Sequence, residues 1–364
     1  MNTAANIVDS KHSEITDALS QYDLNEIKKF QKSATRPSLK HLPGDTGWPF
    51  IGHIYPFLTN LHGWLDKQYQ AHGPVIQFNT PIISGVYLIG PEANKLVLQN
   101  QGKLFSNYLA WEPTFESLFD NNVLQRDFKD HKTQRKILQQ AFKRNAIEGH
   151  IELMNPLLNQ GIHQLKSGYT TQSLDFVKRL LLTTGAEVFM GVKSGPEADT
   201  LNQAFTDIVN ATADPFRLKS VWFSPYAKGV KGNKVISRFI LEKIKARRLT
   251  AGRDMFSHLC QLRDDNGDLI SDELVKDHLI FLLFAAHDTT TSALSSILYT
   301  LASNPEWQQV LREEMLSLNK SNVTFDDLEK MEKTGYTFSE ALRMYPALHS
   351  LPRYALRDFE FNGH

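Results

Sequence analysis

The chain has 364 residues, with 40 Lys+Arg against 40 Asp+Glu and a formal net charge of zero, so it lacks the basic surplus of a phosphate-backbone binder and nucleic acid is not expected as a partner. Hydrophobic residues at 41% and charged residues at 22% exclude general disorder. The single cysteine, Cys260, excludes an internal disulfide and a thiolate-rich zinc or iron–sulfur site, and it suits a reducing compartment.

Residues 1–40 read as a polar lead-in carrying one short amphipathic helix around Leu24–Phe30, and they lack the apolar middle of a secretory signal. Residues 42–52, LPGDTGWPFIG, read as irregular backbone pinned by Trp48 and Phe50, because proline fixes φ and glycine tolerates positive φ. A helix is expected around residues 63–72. Two β-rich runs follow at 75–78 and 82–89, and Asn79-Thr80-Pro81 between them predicts a hairpin. From Pro91 to Leu342 the spacing is helical, with breaks expected at Gly102, Glu112-Pro113, Gly168, Gly195-Pro196, Pro215 and Gly229–Gly232. The tail at 350–361 reads as extended and able to rejoin the early sheet. The fold class is mainly α with a small β-sheet, and residues 41–364 are expected to form one large domain.

The segment from Ser271 to Asn304 carries the most information. Ser271 is a good N-cap, Asp272 and Glu273 suit the helix dipole, and Pro305 supplies the stop. Residues 280–286 are apolar on every face, which predicts a buried helix. No spanning segment is expected, since a bilayer needs about 20 mostly apolar residues and this run meets His287 and Asp288. Polar groups inside a buried helix need partners or cost several kcal/mol, and threonines can bond to the carbonyl four residues back. The residues 287–292, HDTTTS, are therefore either a wet face or a device that delivers an acid and hydroxyls to a buried ligand.

Ala285-Ala286-His287-Asp288-Thr289-Thr290 resembles the oxygen-binding motif of the cytochrome P-450 haem-thiolate monooxygenases. Other segments resemble the same family in the same order: the turn at 42–52, Asp254–Ser257 ahead of the long helix, Glu340-Ala341-Leu342-Arg343 before Tyr345-Pro346, and Leu351-Pro352-Arg353. The resemblance implies an incomplete P-450 fold with heme b as cofactor. It gives Asp288 and Thr289 a catalytic proton relay, and places Ala285 and Ala286 against the cofactor. It also makes His131, Arg135 and Arg353 propionate donors, and Glu340 with Arg343 a buried structural pair. It further implies O2 as co-substrate and electrons drawn from NAD(P)H through a ferredoxin or flavodoxin-type donor. The substrate would be lipophilic, of sterol, retinoid, fatty acid or terpenoid type, with 108–111 and 115–119 in the family's variable substrate loop. The protein is expected to be a cytoplasmic monomer.

The family's iron is held by a Cys thiolate in a loop well beyond the Glu-x-x-Arg helix. Cys260 precedes the long helix and reads as a small buried hydrophobe, so the sequence supplies no metal ligand and resembles a monooxygenase lacking its Cys loop and last helix. The expectation is a fragment that does not turn over by itself. The rival readings are a truncated non-catalytic remnant and a helical binder of haem or another apolar ligand.

Overall fold

The computed structural model describes residues 2–34, 38–81, 83–115, 117–119, 121–214, 217, 221–250 and 252–364. These fall into two compact units: residues 1–110, 126–130 and 352–364 in the first, and 111–125 with 131–351 in the second. Pro215 of the expected breaks, and Ile82 of the second expected strand, lie outside the described residues.

The first unit opens with two helices, α1 (Asn2–Gln21) and α2 (Leu24–Ser33), where the sequence suggested one short helix in a polar lead-in. Asp23 caps α2 by accepting from the Asn25 and Glu26 amides. Ile15, Ala18, Leu19 and Ile27 are buried in a cluster with Tyr108, Leu109 and Leu356. Helices α3 (Ile54–Thr59) and α4 (Leu61–His72) lead into the antiparallel hairpin of β1 (Val75–Asn79) and β2 (Ser84–Leu88), in register Val75↔Leu88 to Asn79↔Ser84. Helix α5 (Pro91–Gln99) precedes β3 (Phe105–Ser106).

The turn before α3 is held differently from expectation. Trp48 is 65% and Phe50 98% exposed, so neither ring pins it. Asp45 instead accepts from His53 Nε2 at 2.7 Å and Gln68 Nε2 at 3.0 Å, while Gln77 Nε2 donates to the Leu42 and Gly44 carbonyls. His53 Nδ1 accepts from the Asn79 amide at 3.0 Å, which fixes the imidazole proton on Nε2. The extended tail also departs from the reading. Its strand β4 (Tyr354–Ala355) pairs antiparallel with β3, through Phe105↔Ala355 and Ser106↔Tyr354, not with the β1–β2 hairpin.

Helix α6 (Tyr108–Phe115) crosses from the first unit into the second and carries Pro113 inside it, so Glu112-Pro113 does not break the chain. Helix α7 (Phe128–Leu138) also begins in the first unit. The second unit continues through α8 (Arg144–Ile162), α9 (Ser173–Met190), α10 (Pro196–Thr212), α11 (Pro225–Leu249), α12 (Met255–Cys260), α13 (Asp272–Ala302), α14 (Pro305–Ser317) and α15 (Glu332–Met344). Gly195 and Pro196 start α10 as expected of a cap and first turn.

Gly229 and Gly232 do not break α11. They let it lie against α10: a Cβ at Gly232 would collide with the Ala204 carbonyl oxygen, and one at Gly229 with the Ala211 Cβ. The core of this unit runs from Phe115 and Phe119 through Phe205, Ile208, Ile240 and Phe256 to Val275, Leu279 and Leu283. Helix α13 is its spine, packed by α9, α11, α12, α14 and α15.

Candidate functional site

Helix α13 starts where its sequence dictates. Ser271 Oγ accepts from the Leu274 amide at 3.2 Å, Asp272 and Glu273 occupy the first turn, and Pro305 opens the next helix. From Val275 to Leu283 the helix is largely buried, with Val275, Leu279 and Ile280 at 0–3% exposure. Burial then relaxes. Phe284, Ala285, Ala286, His287 and Thr289 are half-buried and Asp288 is exposed, so the expectation of a fully enclosed helix holds only up to Leu283.

The helical period sorts the motif onto three faces. Phe284 meets Phe115 at 5.8 Å and Phe119 at 4.6 Å between ring centroids, and Trp111 stacks on Phe115 at 5.0 Å. His287 meets the buried ring of Phe205 on α10 edge to face at 5.3 Å. Burial holds the His287 imidazole below its usual pKa, opposed by Asp288 and reinforced by Lys178. The third face carries Ala285, Asp288 and Thr289 at i, i+3 and i+4. There the Thr289 hydroxyl donates to the Ala285 carbonyl at 2.7 Å, and Thr291, buried at 3%, donates likewise to His287 at 2.8 Å. That face thus presents an alanine methyl, a hydroxyl whose lone pairs remain available, and an exposed carboxyl group.

On α7, His131 is half-buried and Arg135 exposed, one turn apart. Arg135 makes no ion pair or hydrogen bond among the described residues. Of the neighbouring basic side chains, Lys136 pairs with Asp265 at 2.5 Å, while Arg144 pairs with Glu148 and Asp326, so these two charges are neutralised internally.

Arg353 belongs to the first unit, just before β4. It is half-buried, and its only hydrogen bond among the described residues goes to the Pro352 carbonyl at 2.8 Å. Burial lowers its pKa, and the charge of Asp127 partly restores it. Asp127, buried at 2%, accepts from Ser106 Oγ at 2.5 Å and from the Asn107 and Tyr108 amides at 2.7 and 3.2 Å. Its oxygens are occupied by these donors, and burial raises its pKa despite them. The Arg353 guanidinium is therefore desolvated while most of its donors stay open, which is the chemistry that captures a carboxylate.

Glu340 and Arg343 form a bidentate pair at 2.7 Å on both arms, but their side chains are 56% and 70% exposed. The expectation of a buried pair is thus corrected. The i,i+3 spacing brings the two together, and no described segment covers that face of α15. Cys260 is at 0% exposure in the core, and burial pushes its thiol up to about 12.

Tested against these residues, a porphyrin dicarboxylate fits in part. In the second unit His131 and Arg135 are donors of the right chemistry for propionates and Ala285 and Ala286 leave the α13 backbone approachable; in the first unit Arg353 offers the same chemistry. A thiolate for the iron is not among them, because the only cysteine is sealed in the core. Among the described residues, no group of three or more His, Cys, Asp or Glu is placed to hold a metal ion, and no helix is long and apolar enough to cross a membrane.

Sequence reasoning missed Asp127 as the counter-charge beside Arg353. Its partners, Ser106 and the 107–108 amides, lie some twenty residues upstream and leave no local signature. The substrate-loop expectation divides. Phe115 and Phe119 meet Phe284 of α13 and Trp111 stacks on Phe115, whereas Tyr108 and Leu109 are buried in the α1–α2 cluster.

Comparison with known proteins gives a consistent result. The family model described as Cytochrome P450 matches residues 42–364. The chain is 29% identical to "Putative cytochrome P450 136" of Mycobacterium tuberculosis over 345 residues, covering 93% of this chain and 69% of that protein. It is 27% identical to "Taxoid 14-beta-hydroxylase" of Taxus cuspidata, covering 92% and 69%, and 25% identical to "Beta-amyrin 28-monooxygenase" of Panax ginseng, covering 88% and 70%. Among solved structures, "Retinoic acid bound cyanobacterial CYP120A1" superposes with a TM-score of 0.76 at 24% identity, covering 88% of this chain and 73% of that one, and shares the fold.

Proposed function

The chain belongs to the cytochrome P450 family of haem monooxygenases, and from that premise we propose that it serves the oxidation of an isoprenoid-type lipophilic substrate with electrons from a ferredoxin or flavodoxin-type donor, drawn ultimately from NAD(P)H. The family acts on lipophilic molecules with haem and O2. The finer substrate class is supported by the taxoid and β-amyrin oxidising relatives.

The observation that carries the reading is the open face of α13. Haem, when bound, supplies reductive activation of dioxygen and insertion of one oxygen atom into a C–H bond. The residues of this chain would handle the protons and the binding. Asp288 is exposed to bulk water. Thr289 lies one residue on, with its hydroxyl anchored to the Ala285 carbonyl at 2.7 Å. A proton taken up at Asp288 can pass by water to Thr289 Oγ1, whose own proton is then released on the side of Ala285 and Ala286. Arg353 in the first unit, and His131 and Arg135 in the second, each offer charge-assisted hydrogen bonds to a carboxylate such as a propionate.

Cys260 cannot act as the thiolate ligand, so the 364 residues by themselves are not expected to turn over. Haemin added to the purified chain, reduced in the presence of carbon monoxide, should give no thiolate-type Soret band; its appearance would overturn that part. The binding part is tested by titrating the chain with haemin and with haemin dimethyl ester. The diacid should bind at least about tenfold tighter, the worth of one charge-assisted contact, and Arg353→Gln should narrow the difference. A taxoid or triterpenoid should quench the fluorescence of Trp111 at lower concentration than a fatty acid of similar carbon number; the reverse order would refute the isoprenoid assignment.

A further inference from the structure

We infer that the α1–α2 hairpin is a positioning device for the Asp127–Arg353 pair, with Tyr22 and Phe30 as its contact residues. This rests on the proposed role of Arg353 in binding a carboxylate and adds to it the means by which the guanidinium is held. Residues 2–33 precede the segment matched by the family model, which begins at 42, yet they are docked through a buried apolar cluster.

The contacts fall on both sides of the pair. Tyr22 sits in the turn between the two helices with a left-handed φ of 56°, a conformation a bulky residue adopts only when its surroundings compensate. Its ring lies under the Arg126 guanidinium at 3.8 Å and meets Tyr108 edge to face at 5.6 Å. Arg126 in turn holds Asp130 at 2.6 Å, with both side chains largely buried. Asp127 lies directly between these two residues in sequence, and it takes two of its donors from the Asn107 and Tyr108 amides. On the other side, the Phe30 ring meets Tyr354 at 6.3 Å. Tyr354 follows Arg353 and pairs with Ser106, whose hydroxyl also donates to Asp127. Leu356, in the same buried cluster, donates its amide to the Leu104 carbonyl at 2.8 Å.

The hairpin thus grips Tyr108 and Arg126, next to Asp127, and Tyr354 and Leu356, next to Arg353. The β3–β4 ladder is only two residues long on each side, too short to be stable alone, so its register depends on the flanking packing. Fixing it sets the distance from the Arg353 guanidinium to the Asp127 carboxylate, and so how far that cation stays desolvated and available.

The test uses the full chain and the variants Tyr22→Ala, Tyr22→Phe and Phe30→Ala. Hydrogen exchange reads the clamp directly: amides 104–109 and 354–356 should exchange about tenfold faster in Tyr22→Ala and Phe30→Ala, as local opening becomes easier, with Tyr22→Phe restoring protection because the ring is kept. Unchanged exchange in both alanine variants would overturn the inference. Porphyrin fluorescence then reads the cation. The preference for iron-free protoporphyrin IX over its dimethyl ester should fall toward one in Tyr22→Ala, as in Arg353→Gln, and persist in Tyr22→Phe. Should Tyr22→Ala fail to fold, Phe30→Ala carries both measurements. Faster exchange with no acid-over-ester preference in the parent chain would refute the carboxylate role of Arg353 and leave the clamp standing. A full preference retained in both alanine variants would refute the positioning role.

Discussion

The imidazoles of His150 on α8 and His258 on α12 meet edge to face, 5.3 Å between centroids, and both Nε2 atoms are buried without a hydrogen-bond partner. Two neutral rings pack well in this way; a charged one has nowhere to place its second proton.

Acid stability follows from that contact. Burial, reinforced by His258, lowers His150 from the usual 6.5 to about 4, with Asp254 opposing; burial lowers His258 as well, again against Asp254. The nearby charges are already committed, Asp254 to Arg247 and Arg253 to Glu152. The unfolded chain binds protons at these sites that the folded chain refuses, so their contribution is intact above pH 6.5 and declines as pH falls toward 4. Thermal melts should therefore show about 2 kcal/mol less stability at pH 4 than at pH 7 from His150, after allowing for partial solvent screening. His150→Phe should flatten that slope; an unaltered slope would refute the assignment.

The glycines of α11 and α15 should respond with opposite signs. Gly232→Ala forces a methyl into the Ala204 carbonyl and should cost about 1–3 kcal/mol by overpacking. Gly335 lies inside α15 with open space around it, so Gly335→Ala should stabilise by about 0.5–1 kcal/mol through backbone entropy and helix propensity. Chemical denaturation of the two variants gives both signs in one experiment.

Thr289 and Asp288 should be separable from folding. Asp288 is exposed and the Thr289 hydroxyl is bonded only within its own helix, so Thr289→Ala and Asp288→Asn should leave the melting temperature of the chain unchanged. In a catalytically complete haem-loaded form, each should lower product formed per electron consumed by about a hundredfold, the lower end of what a positioned proton-transfer group contributes. Equal coupling in parent and variants would remove both from the relay.

The Glu340–Arg343 pair provides a negative control. Arg343 holds the Glu340 carboxyl below its usual range through their hydrogen bonds, but both side chains face water, where ion pairs contribute little. Glu340→Gln should leave the melting temperature of this chain unmoved at pH 7. A large drop would show that the pair is covered after all.

Much of the second unit was legible because its signals are local. Ser271, Asp272 and Pro305 bound α13 through their own backbone chemistry, and in the first unit the β1–β2 hairpin follows from two β-rich runs around Asn79-Thr80-Pro81. The motif at 285–290 could be recognised because helical spacing alone puts Ala285, Asp288 and Thr289 on one face. The N-terminal hairpin was not legible. Its apolar positions, Ile15, Ala18, Leu19 and Ile27, are sparse among polar residues, and what buries them arrives from Tyr108, Leu109 and Leu356. Gly229 and Gly232 were misread for the same reason: glycine interrupts a solitary helix but permits close approach when a second helix is present.

The sequence by itself determined where α13 starts and stops, which of its side chains share a face, and that the lone cysteine is no ligand, since backbone capping, the 3.6-residue period and residue counts need no distant partner. Only the tertiary structure decided which face is open, that Glu340 and Arg343 lie in water, and that Asp127 stands beside Arg353. Burial and charge proximity are properties of segments brought together across hundreds of residues, and local chemistry holds no record of them.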